Sequence, residues 1–138
     1  MPGVVVRPLA DHDDAALGRL MERAYAGTID DDLGDNNDGA VEIATWRGRG
    51  AIPAASFVAV IDDQPVSASL VTAGANDTAW ISYVITDPGW KGRGLGTAVV
   101  AASLTALADT PVLAGITDGN TPSEKLFATL GFVRTGPA

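Results

Sequence analysis

The sequence predicts one α/β (α+β) domain over residues 1–138, with a mixed, mostly antiparallel central sheet flanked by helices. Three observations predict it. The first is Trp80 to Ala108, where the β-branched and aromatic run WISYVIT passes through a glycine-rich turn into the apolar segment TAVVAASLTALA. The second is the stretch before it. SFVAVI (Ser56–Ile61) and VSASLVT (Val66–Thr72), joined by Asp62-Asp63-Gln64-Pro65 and followed by GANDT, read as an antiparallel meander. The third is the run VLAGIT (Val112–Thr117) after the helix, which a right-handed crossover makes parallel to Trp80–Thr86.

The remaining elements run from the N-terminus onwards. Gly3 to Pro8 reads as a first strand. Asp11 is expected to cap the next helix, with Asp13 and Asp14 favourable in its first turn. Leu17, Leu20, Met21, Ala24 and Tyr25 recur at helical spacing and define a buried stripe that ends at Gly27. Thr28 to Gly39 is the most acidic segment, with Asp30, Asp31, Asp32, Asp35 and Asp38. A calcium loop starting at Asp30 fails, because Asp35 stands where the turn glycine belongs and Val41 where the terminal Glu belongs. Ala40 to Gly48 reads as a short helix that packs through Val41, Ala44 and Trp46. Thr121-Pro122-Ser123-Glu124 forms a capping box for a helix whose apolar stripe is Leu126, Phe127 and Leu130. Gly131 ends that helix, and Phe132 to Thr135 begins a last strand.

Composition bounds the function. Of 138 residues, 46% are hydrophobic and 19% charged, enough for one domain with a usable core. The net charge of -8 opposes general binding to nucleic acid or an anionic membrane. Cysteine is absent and His12, a solvated surface residue by its place, is the only histidine, so no thiolate nucleophile and no Cys- or His-cluster metal site is expected. No apolar run reaches the length of a membrane span, and Met1-Pro2-Gly3 does not open a basic-then-apolar leader. A cytoplasmic location fits these features.

Chemistry concentrates in the glycine turn. Glycines let successive backbone N–H groups converge, and a helix start leaves further N–H groups unpaired, so this turn suits an anion such as phosphate. It is not a P-loop: Gly89 and Gly94 have the spacing, but Leu95 and Gly96 follow where Lys and Ser/Thr belong. A dinucleotide fingerprint starting at Gly92 would need glycine at Thr97, although Asp118 sits roughly at the spacing of a ribose-binding acid; that fingerprint also opens a parallel fold rather than a meander. A tight turn without a ligand is the plain alternative.

The turn resembles the acetyl-coenzyme A loop of the GNAT acetyltransferase superfamily, whose pattern is Arg/Gln-x-x-Gly-x-Gly/Ala between a strand and a helix. Here it reads Lys91-Gly92-Arg93-Gly94-Leu95-Gly96 after Asp87-Pro88, with Lys91 departing at the first position. The C-terminal segment Asn120-Thr-Pro-Ser123-Glu-Lys-Leu126-Phe127…Gly131-Phe132 is similar to the family's second motif, Asn-x-x-Ala/Ser-x-x-Leu-Tyr…Gly-Phe. The two motifs span Trp80–Phe132.

The resemblance implies a sheet that splays like a V between Trp80–Thr86 and Val112–Thr117. It implies acetyl-CoA as cosubstrate, without a metal. The pantetheine arm would pair with backbone around Val84, Ile85 and Thr86, and the pyrophosphate would rest on amides of Lys91, Gly92, Arg93, Gly94, Leu95, Gly96 and Thr97. Asn120 and Ser123 would lie along the arm, with Phe127 near the thiol end. Bland readings stand beside these: a turn residue for Asn120, an exposed first-turn residue for Ser123. The implied reaction is direct attack of a primary amine on the thioester, in a monomer or homodimer. The acidic Thr28–Gly39 segment would face a cationic acceptor. The pattern breaks at Phe127, where the family's frequent acid is tyrosine, and Trp80–Thr86 holds no Asp or Glu. Tyr25, Tyr83 and Asp30–Asp32 are the replacements the sequence offers, with Tyr83 read first as packing. The catalytic residues therefore stay unassigned, and a noncatalytic acyl-CoA-binding or regulatory module is the second functional class.

Overall fold

The computed structural model describes residues 3–25, 39–114 and 121–132 of the chain; the side chains of Tyr25 and of residues 121–124 lie outside that description. The sheet contains β1 (Val5–Pro8), β2 (Phe57–Ile61), β3 (Gln64–Ala73), β4 (Ala79–Thr86) and β5 (Val112–Ala114), in spatial order β1-β2-β3-β4-β5. The first four strands are antiparallel and β5 runs parallel to β4, the mixed sheet expected from the sequence. The hairpin between β2 and β3 turns on Asp62 and Asp63, both left-handed with φ of 50° and 64°, which matches the twist of the strands it joins.

Among the described residues, four α-helices cover the sheet: α1 (Asp14–Tyr25), α2 (Gly39–Arg47), α3 (Leu95–Leu107) and α4 (Thr121–Thr129). Side chains alternate along a strand, so the two faces carry separate cores. Val58, Val60, Ala68 and Leu70 meet Leu17, Leu20 and Met21 of α1 and Ile43 and Trp46 of α2. On the other face Ala59 and Val66 meet Leu95 and Val99, while Val71 and Ile81 meet Val100, Leu107 and Phe127.

β4 changes face midway. Leu70 pairs with Tyr83 while Val71 pairs with Ile81, so Ser82 is an extra residue, a β-bulge. Ala79 and Ile81 belong to the α3/α4 core, whereas Tyr83 and Ile85 belong to the α1/α2 side. The pairing of β4 with β5 covers Ala79, Ile81 and the Trp80 between them. Among the described residues, Tyr83 to Thr86 have a strand partner only in β3.

Two expectations about the N-terminal half are corrected. Asp11 does not cap α1. The helix enters through a 3₁₀ turn, Asp11–Asp13, and the capping carboxylate is Asp13, which accepts from the Ala10 N–H at 2.8 Å. Asp13 is only 3% exposed, so it needs a partner, and Arg7 of β1 donates to both of its oxygens at 2.8 and 2.9 Å. In α2, Val41 and Ala44 are exposed, and the buried line is Gly39, Ile43 and Trp46. Position 39 must be glycine: a Cβ there would collide with the Gly18 backbone carbonyl, because α1 and α2 cross at that point. The Gly39 N–H is capped by Glu22 of α1 at 2.8 Å. Trp46 donates its indole N–H to the Val71 carbonyl at 3.2 Å, and Arg47 pairs with Asp14 at 2.7 Å, so α2 is fixed at three points.

Asp13 also sets an acid limit. Burial acts to raise its pKa, but the Arg7 hydrogen bonds and the Ala10 N–H outweigh it and hold the carboxyl below the usual range. A lowered native pKa contributes stability above the unfolded value of about 3.9, and that contribution is lost as pH falls through the lower native value. Asp13→Asn is expected to cost about 2 kcal/mol at neutral pH. Urea unfolding should show the gap between variant and wild type closing below about pH 4.

Candidate cofactor and active site

β4 ends at Thr86, and Asp87 organises the turn after it. Its backbone N–H donates to the Val66 carbonyl at 2.8 Å. Its carboxylate accepts from the Gly89 N–H at 2.9 Å and from Arg23 of α1 at 3.0 Å. The chain then makes the short 3₁₀ turn Pro88–Trp90 and enters α3 through Gly94. Gly92 and Gly94 both have φ of +78°, a conformation that L side chains rarely adopt. A Cβ at either would meet nothing within 4 Å, so the turn borders open space. None of the backbone N–H groups from Lys91 to Thr97 donates a well-formed hydrogen bond to another described residue. Lys91 and Arg93 are exposed beside them, and the Arg93 guanidinium lies 4.7 Å from the centre of the Trp90 ring. Amides without a well-formed partner among the described residues, a helix start and two cations around open space suit an anion of pyrophosphate type.

The predicted positions divide by location. Gly96 brings the turn against the end of β4. A Cβ there would lie 3.0 Å from Leu126, 3.6 Å from Thr86 and 3.7 Å from Val84. Thus Val84, Thr86 and Gly96 do converge, with α4 beside them. The Thr86 hydroxyl is held by Ser67 at 2.9 Å. The Ile85 side chain is buried in the α1/α2 core. Leu95 is buried and anchors the start of α3, and Thr97 is half-buried on its first turn. Phe127 is 5% exposed and packs edge-on against Phe132 at 4.9 Å. Asn120, Gly115–Thr117 of the expected strand, Val133–Thr135 and the acidic residues Asp30, Asp31, Asp32, Asp35 and Asp38 lie outside the described residues, as does the side chain of Ser123.

One pair is not legible from spacing. Just past the bulge, Tyr83 donates its hydroxyl to Glu42 of α2 at 2.8 Å. Burial, then the hydrogen bond and charge of Glu42, push the Tyr83 pKa up to about 12, with Arg49 opposing them. The phenol therefore keeps its proton at neutral pH. Forty-one positions separate the partners, and only the docking of α2 on the sheet joins them.

No group of three or more acidic or histidine side chains is arranged to hold a metal among the described residues. None of the described helices is long and apolar enough to cross a membrane.

Comparison with known proteins bears on this geometry. Comparison with curated protein sequences gives no match. Among solved structures, PH1933 of Pyrococcus horikoshii OT3 superposes with a TM-score of 0.81 at 16% identity, covering 98% of this chain and 92% of that one. The ribosomal-protein-S18-alanine N-acetyltransferase of Escherichia coli gives 0.77 at 17% identity, covering 96% and 79%. The protein yncA of Salmonella typhimurium, solved with its cofactor acetyl-CoA, gives 0.77 at 20% identity, covering 97% and 82%. At such identities these likenesses speak for the fold. The sequence itself matches the model of the Acetyltransferase (GNAT) family over residues 20–132, which takes in α2, the bulged β4, the glycine turn and the second motif; the chain belongs to the GNAT acetyltransferase family.

Proposed function

We propose that this protein is an acetyl-CoA-dependent N-acetyltransferase that acetylates a primary amine, of a small molecule or a protein, by direct attack. The observation that carries the reading is the Lys91–Thr97 turn, whose amides have no well-formed partner among the described residues and which lies against Val84 and Thr86 of β4. In the same fold, one neighbour holds acetyl-CoA and another is named for acetylating an alanine. The turn would hold the pyrophosphate on the amides of Lys91 to Thr97, with Lys91 and Arg93 neutralising its charge. Backbone around Val84, Ile85 and Thr86 would order the arm, joined by Asn120 and Ser123, and Phe127 would supply an apolar wall. When bound, acetyl-CoA supplies an activated acyl group. The protein's share is to hold the acceptor against it, to exclude water and to remove a proton from the amine. The setting we propose is a cytoplasmic monomer or homodimer.

The acceptor we propose is cationic, drawn by the Asp30–Asp32 segment. Thiol release should be followed with acetyl-CoA and a panel of amines. Steady release with an amine supports the enzyme, and neutralising Asp30, Asp31 and Asp32 together should raise its apparent KM severalfold at low salt. Tight cofactor binding without release from any amine would support the noncatalytic module.

A further inference from the structure

We infer that Glu42 is the acceptor-binding carboxylate that takes the amine's proton, and that Tyr83 positions it. This rests on the acetyltransferase reading.

Three observations converge on the pair. Tyr83 lies on β4 just beyond Ile81, the last described residue paired with β5, and before the strand end that leads into the glycine turn. The bulge at Ser82 turns Tyr83 to the α1/α2 side, where the only partner of its hydroxyl among the described residues is Glu42. Tyr83 occupies one carboxylate oxygen, Oε2, while Oε1 has no hydrogen-bond partner among the described residues. Glu42 is half-buried on a helix pinned through Gly39, Trp46 and Arg47, so Oε1 is held on a rigid element. A carboxylate fixed through one oxygen can receive an ammonium ion at the other and accept its proton.

Tyr83 cannot be the base itself. Its phenol is protonated at neutral pH and its hydrogen is committed to Glu42. Nor does the surrounding charge favour another candidate. On α1, Glu22 caps Gly39, Asp14 is paired with Arg47, and Arg23 is paired with Asp87. Arg19 is exposed on α1, and Arg49 follows α2 and acts on Tyr83. Glu42 is the remaining described carboxylate on α2, and it abuts β4 through Tyr83.

The step balances simply. The acceptor ammonium gives one proton to Glu42 Oε1, and the nitrogen lone pair that remains forms the N–C bond to the acetyl carbonyl carbon. The C–S bond breaks, and sulfur keeps the electron pair. The nitrogen, now positively charged, gives a second proton to that sulfur, leaving amide and free thiol. Glu42 returns its proton to solvent.

The test compares wild type with Glu42→Gln, Glu42→Asp and Tyr83→Phe, using acetyl-CoA and an amine that wild type acetylates. Glu42→Gln should lower single-turnover transfer about 100-fold or more and remove the acidic limb of the pH–rate profile. Glu42→Asp should restore part of both. Calorimetric affinity for acetyl-CoA should be unchanged in all. Tyr83→Phe should lower the single-turnover rate with acetyl-CoA affinity unchanged, because the carboxylate loses the donor that holds it in place. A readout free of turnover accompanies these: absorbance titration of Glu42→Gln should bring the Tyr83 phenol down from about 12 towards its ordinary value of 10. If wild type turns over and Glu42→Gln keeps both rate and acidic limb, the inference falls while the acetyltransferase reading stands. If wild type acetylates no amine, both fall. Loss of thermal stability with an unmoved pH profile would mark the pair as structural and also overturn the inference.

Discussion

Gly94→Asp is expected to leave a folded protein that binds acetyl-CoA about 100-fold or more weakly, a loss of roughly 2.7 kcal/mol. Gly94 sits at the entrance to α3 with φ of +78°, and a side chain there projects into the open space beside the amides of the turn. An aspartate would fill that space and set a negative charge against a phosphate group. The fold should survive, because aspartate is among the residues that tolerate the left-handed region and is a favoured residue before a helix. Gly94→Asn separates the two effects. It adds nearly the same bulk without the charge, and its affinity should fall between those of wild type and Gly94→Asp. Isothermal titration of all three, beside a thermal melt of each, reads the result. Equal affinities would remove the turn from the site.

Gly39→Val is expected to be the most damaging single change to the scaffold. The α1–α2 crossing puts position 39 against the Gly18 backbone, and a backbone carbonyl cannot swing away as a side chain would. The first turn of α2 must shift, at a cost of about 3 kcal/mol or more, which corresponds to a fall of roughly 10 °C in Tm. The damage should reach the site, since the same turn carries Glu42. Ala44→Gln, on the exposed side of α2, should stay within about 0.5 kcal/mol of wild type. Differential scanning calorimetry distinguishes these outcomes.

The contrast between these two glycines shows what the chain discloses before it folds. Gly92, Gly94 and Gly96 stand between a β-branched run and an apolar helix, so local pattern alone places them in a strand-to-helix turn. The meander is legible for the same reason, as is the parallel return of β5, since handedness leaves one way to make it. Gly39 carries no such signal, because its need for glycine comes from Gly18 on another helix. The bulge at Ser82 is hidden too. WISYVIT reads as unbroken strand, and only the pairing with β3 shows that one residue is surplus and that Tyr83 faces away from the side occupied by Ile81. Helix α2 is legible but its buried face is not, because Val41 and Ala44 are as apolar as a core face requires while Ile43 and Trp46 have the sheet beneath them. Asp13 displaces Asp11 as the capping residue because Arg7, on the neighbouring strand, offers it a buried partner. Glu42 belongs with these cases: its meaning depends on Tyr83, which the sheet alone brings within reach.

Amide hydrogen exchange with and without acetyl-CoA tests the central claim most directly, because it reads the backbone groups on which that claim rests. Lys91 to Thr97 should exchange quickly in the free protein, their N–H groups having no well-formed partner among the described residues. Adding acetyl-CoA should protect those amides together with amides around Val84, Ile85 and Thr86, and leave the β1–β2 pairing unchanged. Protection confined to other parts of the chain, with Lys91–Thr97 exchanging as fast as before, would contradict the assignment of this turn and strand edge as the cofactor site.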